Sequence, residues 1–530
     1  LSTPIIIVWF KRDLRIVDHN PLASAVAKGA VLPLFCWEPS VWSGKDYAKQ
    51  HQHFVMECLI ELESSLQKIG LKLHISNAGI IETLNTIKSQ VNIAAIYSHE
   101  ETGNLATYEV DKSVAKWCES QTIKWLEMPQ NGVIRRLKNR NEWSRLWEQR
   151  MAVPAQKLPT KALSSPLITM PVSQITSALG TDKNKRQKGG RSNALEVFNS
   201  FLDGRAAKFR GGISSPLTAV TTCSRISPYL SYGCLSMREV VQASRDRMTW
   251  VKEEPHIFPT GLTAGIIGFE SRLHWHCHFM QKLESEPEIE FENMHHVHDE
   301  MRDELLADTE SQRRLKIWSA GETGWPLVDA CMAMLRETGW INFRMRAMLM
   351  STASYLYWLH WRSSGLHLAN EFLDYEPGIH WSQSQMQSGT TGINTLRIYN
   401  PIKQAQEQDP NGTFVRHWLP ALKQVPDTWI FEPYLMPKSL QLKYGCLIDQ
   451  GYPSPIVDIA KAIRKARLSI SAARNKEGAY NEKQTIIKKH ASRKNIQRYH
   501  KDKKSFENND KNRSIKKKSN NKNILQKELF

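Results

Sequence analysis

Over the first 130 residues, short apolar runs alternate with longer segments of helical periodicity. The runs fall at 5–10, 31–36, 71–76, 93–97 and 123–126. Within 51–69, apolar residues at 54, 55, 58, 59, 62 and 66 form a stripe that recurs once per helical turn. Buried strands alternating with amphipathic helices predict an α/β domain over 1–130, a doubly wound parallel sheet covered on both faces. No G-x-G-x-x-G follows the first run and no G-x-x-x-x-G-K-[ST] occurs, so the sheet is not a standard dinucleotide or P-loop site.

Residues 131–195 read as a connector. From about 150 the periodicity fades, prolines stand at 154, 159, 166 and 171, and Lys183–Arg191 is basic, as in a strand of chain wrapped on the surface. From 196 to 470 the pattern is helical and rich in tryptophan, which predicts an all-α domain ending in a helix from Pro455 to Arg474 capped by Ser454. Residues 471–530 hold too few apolar side chains to fold by themselves and read as a disordered basic tail.

Charge sharpens this picture. Lys and Arg number 71 against 53 Asp and Glu, a net +18 that suggests a polyanionic partner. The last sixty residues carry 18 basic and 6 acidic side chains, so +12 sits in the tail and only +6 on the other 470 positions. A nucleic-acid face on the folded body must therefore be a local patch. Eight scattered cysteines with no C-x-x-C pair make neither a disulfide framework nor an obvious metal knuckle. No apolar stretch approaches the roughly eighteen residues of a membrane span. A monomeric, cytoplasmic, reduced protein with no membrane partner is expected.

Four phrases carry the chemistry: Val8-Trp9-Phe10-Lys11-Arg12-Asp13-Leu14-Arg15; Thr222-Cys223-Ser224-Arg225-Ile226-Ser227-Pro228-Tyr229-Leu230; Gly321-Glu322-Thr323-Gly324-Trp325-Pro326-Leu327-Val328-Asp329-Ala330; and Leu396-Arg397-Ile398-Tyr399-Asn400-Pro401. In this order they resemble the photolyase/cryptochrome family, over residues 5 to about 435. The resemblance implies FAD in the helical domain, blue-light chemistry, and a second antenna chromophore of folate or deazaflavin type in the α/β domain.

Read from the residues alone, Ser224, Arg225 and Ser227 precede an apolar helical run and form either an anion site or a simple cap with a surface Arg. The resemblance makes Cys223, Ser224, Arg225, Ile226 and Ser227 the holders of the FAD pyrophosphate. It adds His276, Asn342 and Glu376 as cofactor contacts and places an Arg346–Asp374 pair over the isoalloxazine; otherwise that pair is an ordinary interhelical salt bridge. Trp361 matches the middle member of the family's electron relay. Trp381 becomes the inner member if the loop 377–382 is shifted, since a gap-free alignment puts Ser382 there. The outer position falls on Asp308, and Trp358, one helical turn from Trp361, is a substitute; core packing is the alternative for all three. His380 lies near the position facing flavin N5, where an imidazole would titrate near neutral pH, or it is structural.

The lesion pocket departs from the family pattern. Trp275 fits one aromatic wall, but the other falls on Ser384. Arg272 replaces a Glu, and Phe343 a polar contact. His274, His276 and His278 are two apart on a helix and cannot converge on one metal ion. The loop His99–Asn104 is a candidate antenna rim, while Asp111 does not match the acidic folate contact. The function expected is a photolyase that splits pyrimidine dimers in UV-damaged DNA, with a non-repairing cryptochrome-like photoreceptor, which Ser384, Arg272 and Phe343 favour, as the rival.

Overall fold

A computed structural model describes residues 4–167, 169, 170, 172, 180–303 and 306–491. Five strands, β1 (Ile5–Phe10), β2 (Ala30–Cys36), β3 (His74–Ser76), β4 (Ile93–His99) and β5 (Lys124–Met128), form one parallel sheet in the order β3-β2-β1-β4-β5. The order reverses between β1 and β4, the switch point of a doubly wound sheet. Alternate residues of β1 serve opposite faces. Ile6, Val8 and Phe10 join the core with α1 (Asn20–Val26) and α2 (Lys49–Gln67), whereas Ile5, Ile7 and Trp9 pack with α3 (Ile80–Gln90) and α4 (Leu105–Ser120). Each such fully buried side chain contributes about 1.5–3 kcal/mol. The stripe anticipated in 51–69 is the buried face of α2, from Phe54 to Leu66.

The first core does not stop at the domain boundary. It continues into Tyr229, Tyr232, Phe269 and Cys277 of the helical domain, so the sheet face and the helices share one apolar interior. The connector contributes to it as well. Before the stretch read as surface wrapping, a helix at Trp143–Ala152 buries Trp143, Trp147 and Met151, so the first part of 131–195 packs into the core. Tryptophan, not proline, decides its fate.

In the helical domain, the site is built from α5 (Ser227–Ser231), α6 (Leu262–Ser285), α7 (Phe343–Ser351), α8 (Trp361–Glu371) and α9 (Pro377–Ser388). A five-residue π-helix at Thr352–Leu356 extends α7. The anticipated helix from Pro455 begins instead at Ile459, as α10 (Ile459–Arg474). Its cap is Asp458, which accepts from the Lys461 amide at 2.9 Å, while the Ser454 hydroxyl donates to Asp449. Pro455 packs against Gly324, which holds it outside the helix.

The tail also departs from expectation at its start. Residues Ala479–His490 form α11, anchored by His490 and Lys489 on Glu286 and by Ala479 O on His295. Buried Ala479, Ile486 and His490 supply the tertiary contact that composition alone did not reveal. The remaining tail, 492–530, lies outside the described residues. Among the described residues no helix is long and apolar enough to cross a membrane.

Candidate active site

The Cys223–Ser227 phrase joins a helix ending at Thr222 to α5. Because α5 is barely one turn long and its N-cap Ile226 has no side-chain cap, a helix-start dipole contributes little here. The charge comes from Arg225. Its backbone is left-handed, φ +61°, and its guanidinium lies 3.8 Å above the Trp340 ring while donating twice to Gln187 Oε1 at 3.1 and 3.0 Å. Burial lowers its pKa to about 10, and no carboxylate is bonded to it among the described residues. Such a cation is short of a counter-charge, which suits an anionic ligand. Arg205 donates to the carbonyls of Thr221, Cys223 and Ser224, holding the loop from behind. The Cys223 thiol, raised to about 11 by burial, stays protonated.

The second charge in the site is paired. Arg346 on α7 grips Asp374 with two parallel bonds of 2.9 and 3.0 Å, and its guanidinium lies 4.2 Å from the Phe372 ring centre. Despite burial, Arg346 and the Ser227 hydroxyl hold the Asp374 carboxyl below its ordinary range. Ser227 and Asp374 therefore bring the phrase and the ion pair into one site. Asn342 donates to Ile213 O and Ser214 O at 3.0 and 2.8 Å and leaves its buried Oδ1 without a partner.

On α9, His380 Nε2 donates to Gly365 O at 2.8 Å, and its ring edges meet Tyr375 and Trp381. Burial lowers its pKa to about 4. With that pKa the imidazole is neutral at pH 7. Trp361 and Trp381, both fully buried, stand edge to face with ring centres 5.8 Å apart. Trp361 Nε1 donates to Asn293 at 2.8 Å, while Trp381 Nε1 has no partner. A Cβ on Gly365 would lie 2.9 Å from Trp381, so glycine is what lets this ring in. Trp358 is not one helical turn from Trp361. The chain leaves the helix between them, Trp358 adopts φ +60°, and its ring packs under Arg302 and Lys465.

Glu376 and His276 meet where the two domains face each other. Arg12, from the loop after β1, forms a double bond pair with Glu376 at 3.1 and 3.3 Å. These two line a small, partly open pocket with His276, Arg15, Gln130 and Asn131. His276 Nδ1 is buried without a partner, and burial lowers the pKa of His276 to about 4. Arg12 and Arg205 were not anticipated as site residues; a pairing across 364 positions leaves no local sequence signal.

On another part of α6, Arg272 is partly buried with no carboxylate acting on it, and Trp275 packs 5.8 Å from Phe279. Phe343, the first residue of α7, is 42% exposed. Positions 272, 275 and 279 share one helical face. His274 and His278 pack on Trp143 while His276 points to the interdomain cavity, so the three do not converge.

The loop after β4 is not an open rim. His99 Nδ1 and His19 Nε2 both donate to buried Asp13, at 2.7 and 3.0 Å, and His19 Nδ1 accepts from Leu22 N, so the ligand atoms of this trio are already spent on one another. Glu101 accepts from Thr102 and Gly103, and Asn104 donates to Asp46. Asp111 pairs with Lys11 at 3.0 Å.

The donor set fits a flavin dinucleotide: an undercompensated Arg225 for phosphate, an unpartnered Asn342 Oδ1, and a fixed Arg346–Asp374 pair nearby. Comparison with known proteins agrees. The family model for the FAD binding domain of DNA photolyase matches residues 269–472, and that for DNA photolyase matches residues 6–140. A cryptochrome DASH of Synechocystis is 25% identical over 88% of this chain and 97% of its own length. A deoxyribodipyrimidine photo-lyase of Alkalihalophilus pseudofirmus is 27% identical over 87% and 96%. The crystal structure of a bacterial class III photolyase from Agrobacterium tumefaciens shares the fold with TM-score 0.77 and 23% identity, covering 90% of this chain and 99% of the other. The two family models, which together match most of the chain at residues 6–140 and 269–472, place this chain in the photolyase/cryptochrome family, as an FAD-binding flavoprotein.

Proposed function

We propose that the protein is a DNA photolyase that splits UV-induced pyrimidine dimers in blue light. FAD, when bound, supplies light absorption and single-electron chemistry. The chain's own residues do the rest. The Cys223–Ser227 phrase, with Arg225, holds the phosphates. Asp374 stays ionised beside Arg346 and gives the site a fixed charge pair. His380 remains neutral and hydrogen-bonded to Gly365, shaping the wall without adding charge. Trp361 and Trp381 offer an edge-to-face conduit for single electrons through a buried interior, and Trp358 lies off that line.

The observation that carries repair over signalling is the face of α6 that holds Arg272, although on sequence alone the exchange of Glu for Arg there, with Phe343, favours the photoreceptor. Arg272 presents a guanidinium free of carboxylates beside the aromatic surface of Trp275 and Phe279, a combination suited to a nucleotide turned out of the duplex, ring on ring and phosphate on cation. Burial of Ser384, where the second aromatic wall was sought, favours the rival reading of a cryptochrome-like photoreceptor. Binding to UV-irradiated and untreated oligonucleotides separates the two. Repair predicts tighter binding to the irradiated strand and a loss of about tenfold, near 1.4 kcal/mol, in Arg272→Ala. Equal affinity for both DNAs would support the photoreceptor.

A further inference from the structure

Away from the flavin site, buried donors without partners gather where α10 crosses the π-helix and the segment 295–302. Arg302 is 6% exposed, its Nε donates to Ser354 O at 3.0 Å, and its Nη2 has no partner. Arg474, the last residue of α10, donates from Nη2 to Asn394 O and leaves Nε unpartnered. Tyr355, 1% exposed, has a free hydroxyl, and both ring nitrogens of His298, 2% exposed, are unbonded. The groups are neighbours: Arg302 lies 5.6 Å from the Tyr355 ring centre, and both arginines act electrostatically on Tyr355 and on His298.

The charge does not balance. Nearby carboxylates are engaged elsewhere: Glu482 accepts from the His296 amide, Glu300 faces Lys476, Asp299 bonds Asn293 and His296, and Asp303 accepts from the Ala307 amide. Among the described residues, the one titratable group that favours the charged state of Arg302 or Arg474 is Tyr355, a phenol whose pKa is itself raised by burial. The Arg302 guanidinium, withdrawn from water, with the half-buried Arg474 beside it, requires a counter-charge that water cannot supply. We propose that Arg302, Arg474, Tyr355 and His298 form a binding site for a small oxyanion of phosphate or sulfate type. The donors are too deeply set for a duplex backbone to reach, so the ligand is a free ion or a small molecule bearing that group.

The test is thermal unfolding of the FAD-loaded full-length protein in dilute HEPES with rising sodium phosphate or sulfate, against sodium chloride at matched ionic strength. Flavin absorbance is followed to separate cofactor release. The proposal expects a saturable rise in midpoint with phosphate or sulfate beyond that with chloride. Arg302→Met should abolish the response and raise the midpoint in HEPES alone, because an unpaired buried charge has been removed. Tyr355→Phe, a milder change, should weaken phosphate binding severalfold by titration calorimetry and covers the case in which Arg302→Met does not fold. Equal responses to phosphate and chloride in the wild type, or an undiminished phosphate response in the variants, would show a water-filled pocket and overturn the site.

Discussion

Arg346 and Asp374 show how a single pair can set the character of the site. Separating them would leave a buried charge alone, so Asp374→Asn should lower stability by about 3–5 kcal/mol in urea unfolding. The sign with pH follows from the depressed carboxyl. The Asp374 contribution is fully present above the ordinary carboxylate pKa of 3.8 and is lost as pH falls through its lower folded value. In the relay, Trp361→Phe should slow photoreduction of bound FAD at least tenfold in stopped illumination, while Trp358→Phe should leave it unchanged. A slow Trp358→Phe variant would restore that ring to the electron path. Gly365→Ala forces a methyl against Trp381 and should cost about 1–3 kcal/mol, read from the denaturation midpoint.

Among the elements, α11 alters what the basic tail can mean. Deleting residues 475–530 would remove not only charge but also the His490 and Lys489 contacts to Glu286. Deleting 492–530 is the cleaner cut, since that segment carries 13 Lys and Arg against 4 Asp and Glu. It should lower nonspecific DNA affinity and flatten its salt dependence while leaving FAD content intact, as fluorescence titration at several salt concentrations would measure. The sheet and α2 were legible because their apolar period is local, two in a strand and 3.6 in a helix. The docking of α11 and the buried helix Trp143–Ala152 were not, because each depends on a surface built from distant segments. The same holds within the site: Cys223–Ser227 is a contiguous phrase, but Arg12 on Glu376 is a meeting of two domains, and the break that removes Trp358 from the helix is a backbone event with no periodic trace.

At the scale of the molecule, the shared core and the Arg12–Glu376 pair tie the α/β and helical domains into one interior, in which several histidines are buried neutral. His51, His276, His360 and His380 each have a pKa lowered by burial to about 4 from an ordinary 6.5. Buried Asp329, Glu290 and Asp111, raised to about 7, 7 and 6, act in the opposite sense. With His99 and His298, lowered to about 3, the histidines outnumber them, so the unfolded chain binds more protons than the native one and stability should fall as pH drops from 6.5 toward 4. Denaturant midpoints at pH 7.5 and 5 check this; a midpoint higher at pH 5 would contradict the buried neutral state. The central claim is light-driven repair, and it is tested most directly by incubating the protein, its FAD reduced, with a single-stranded oligonucleotide carrying one cyclobutane thymine dimer, in blue light and in darkness. The account predicts intact thymines restored in light alone. A dimer left unchanged in the light, with reduced FAD bound and the oligonucleotide engaged, would contradict it.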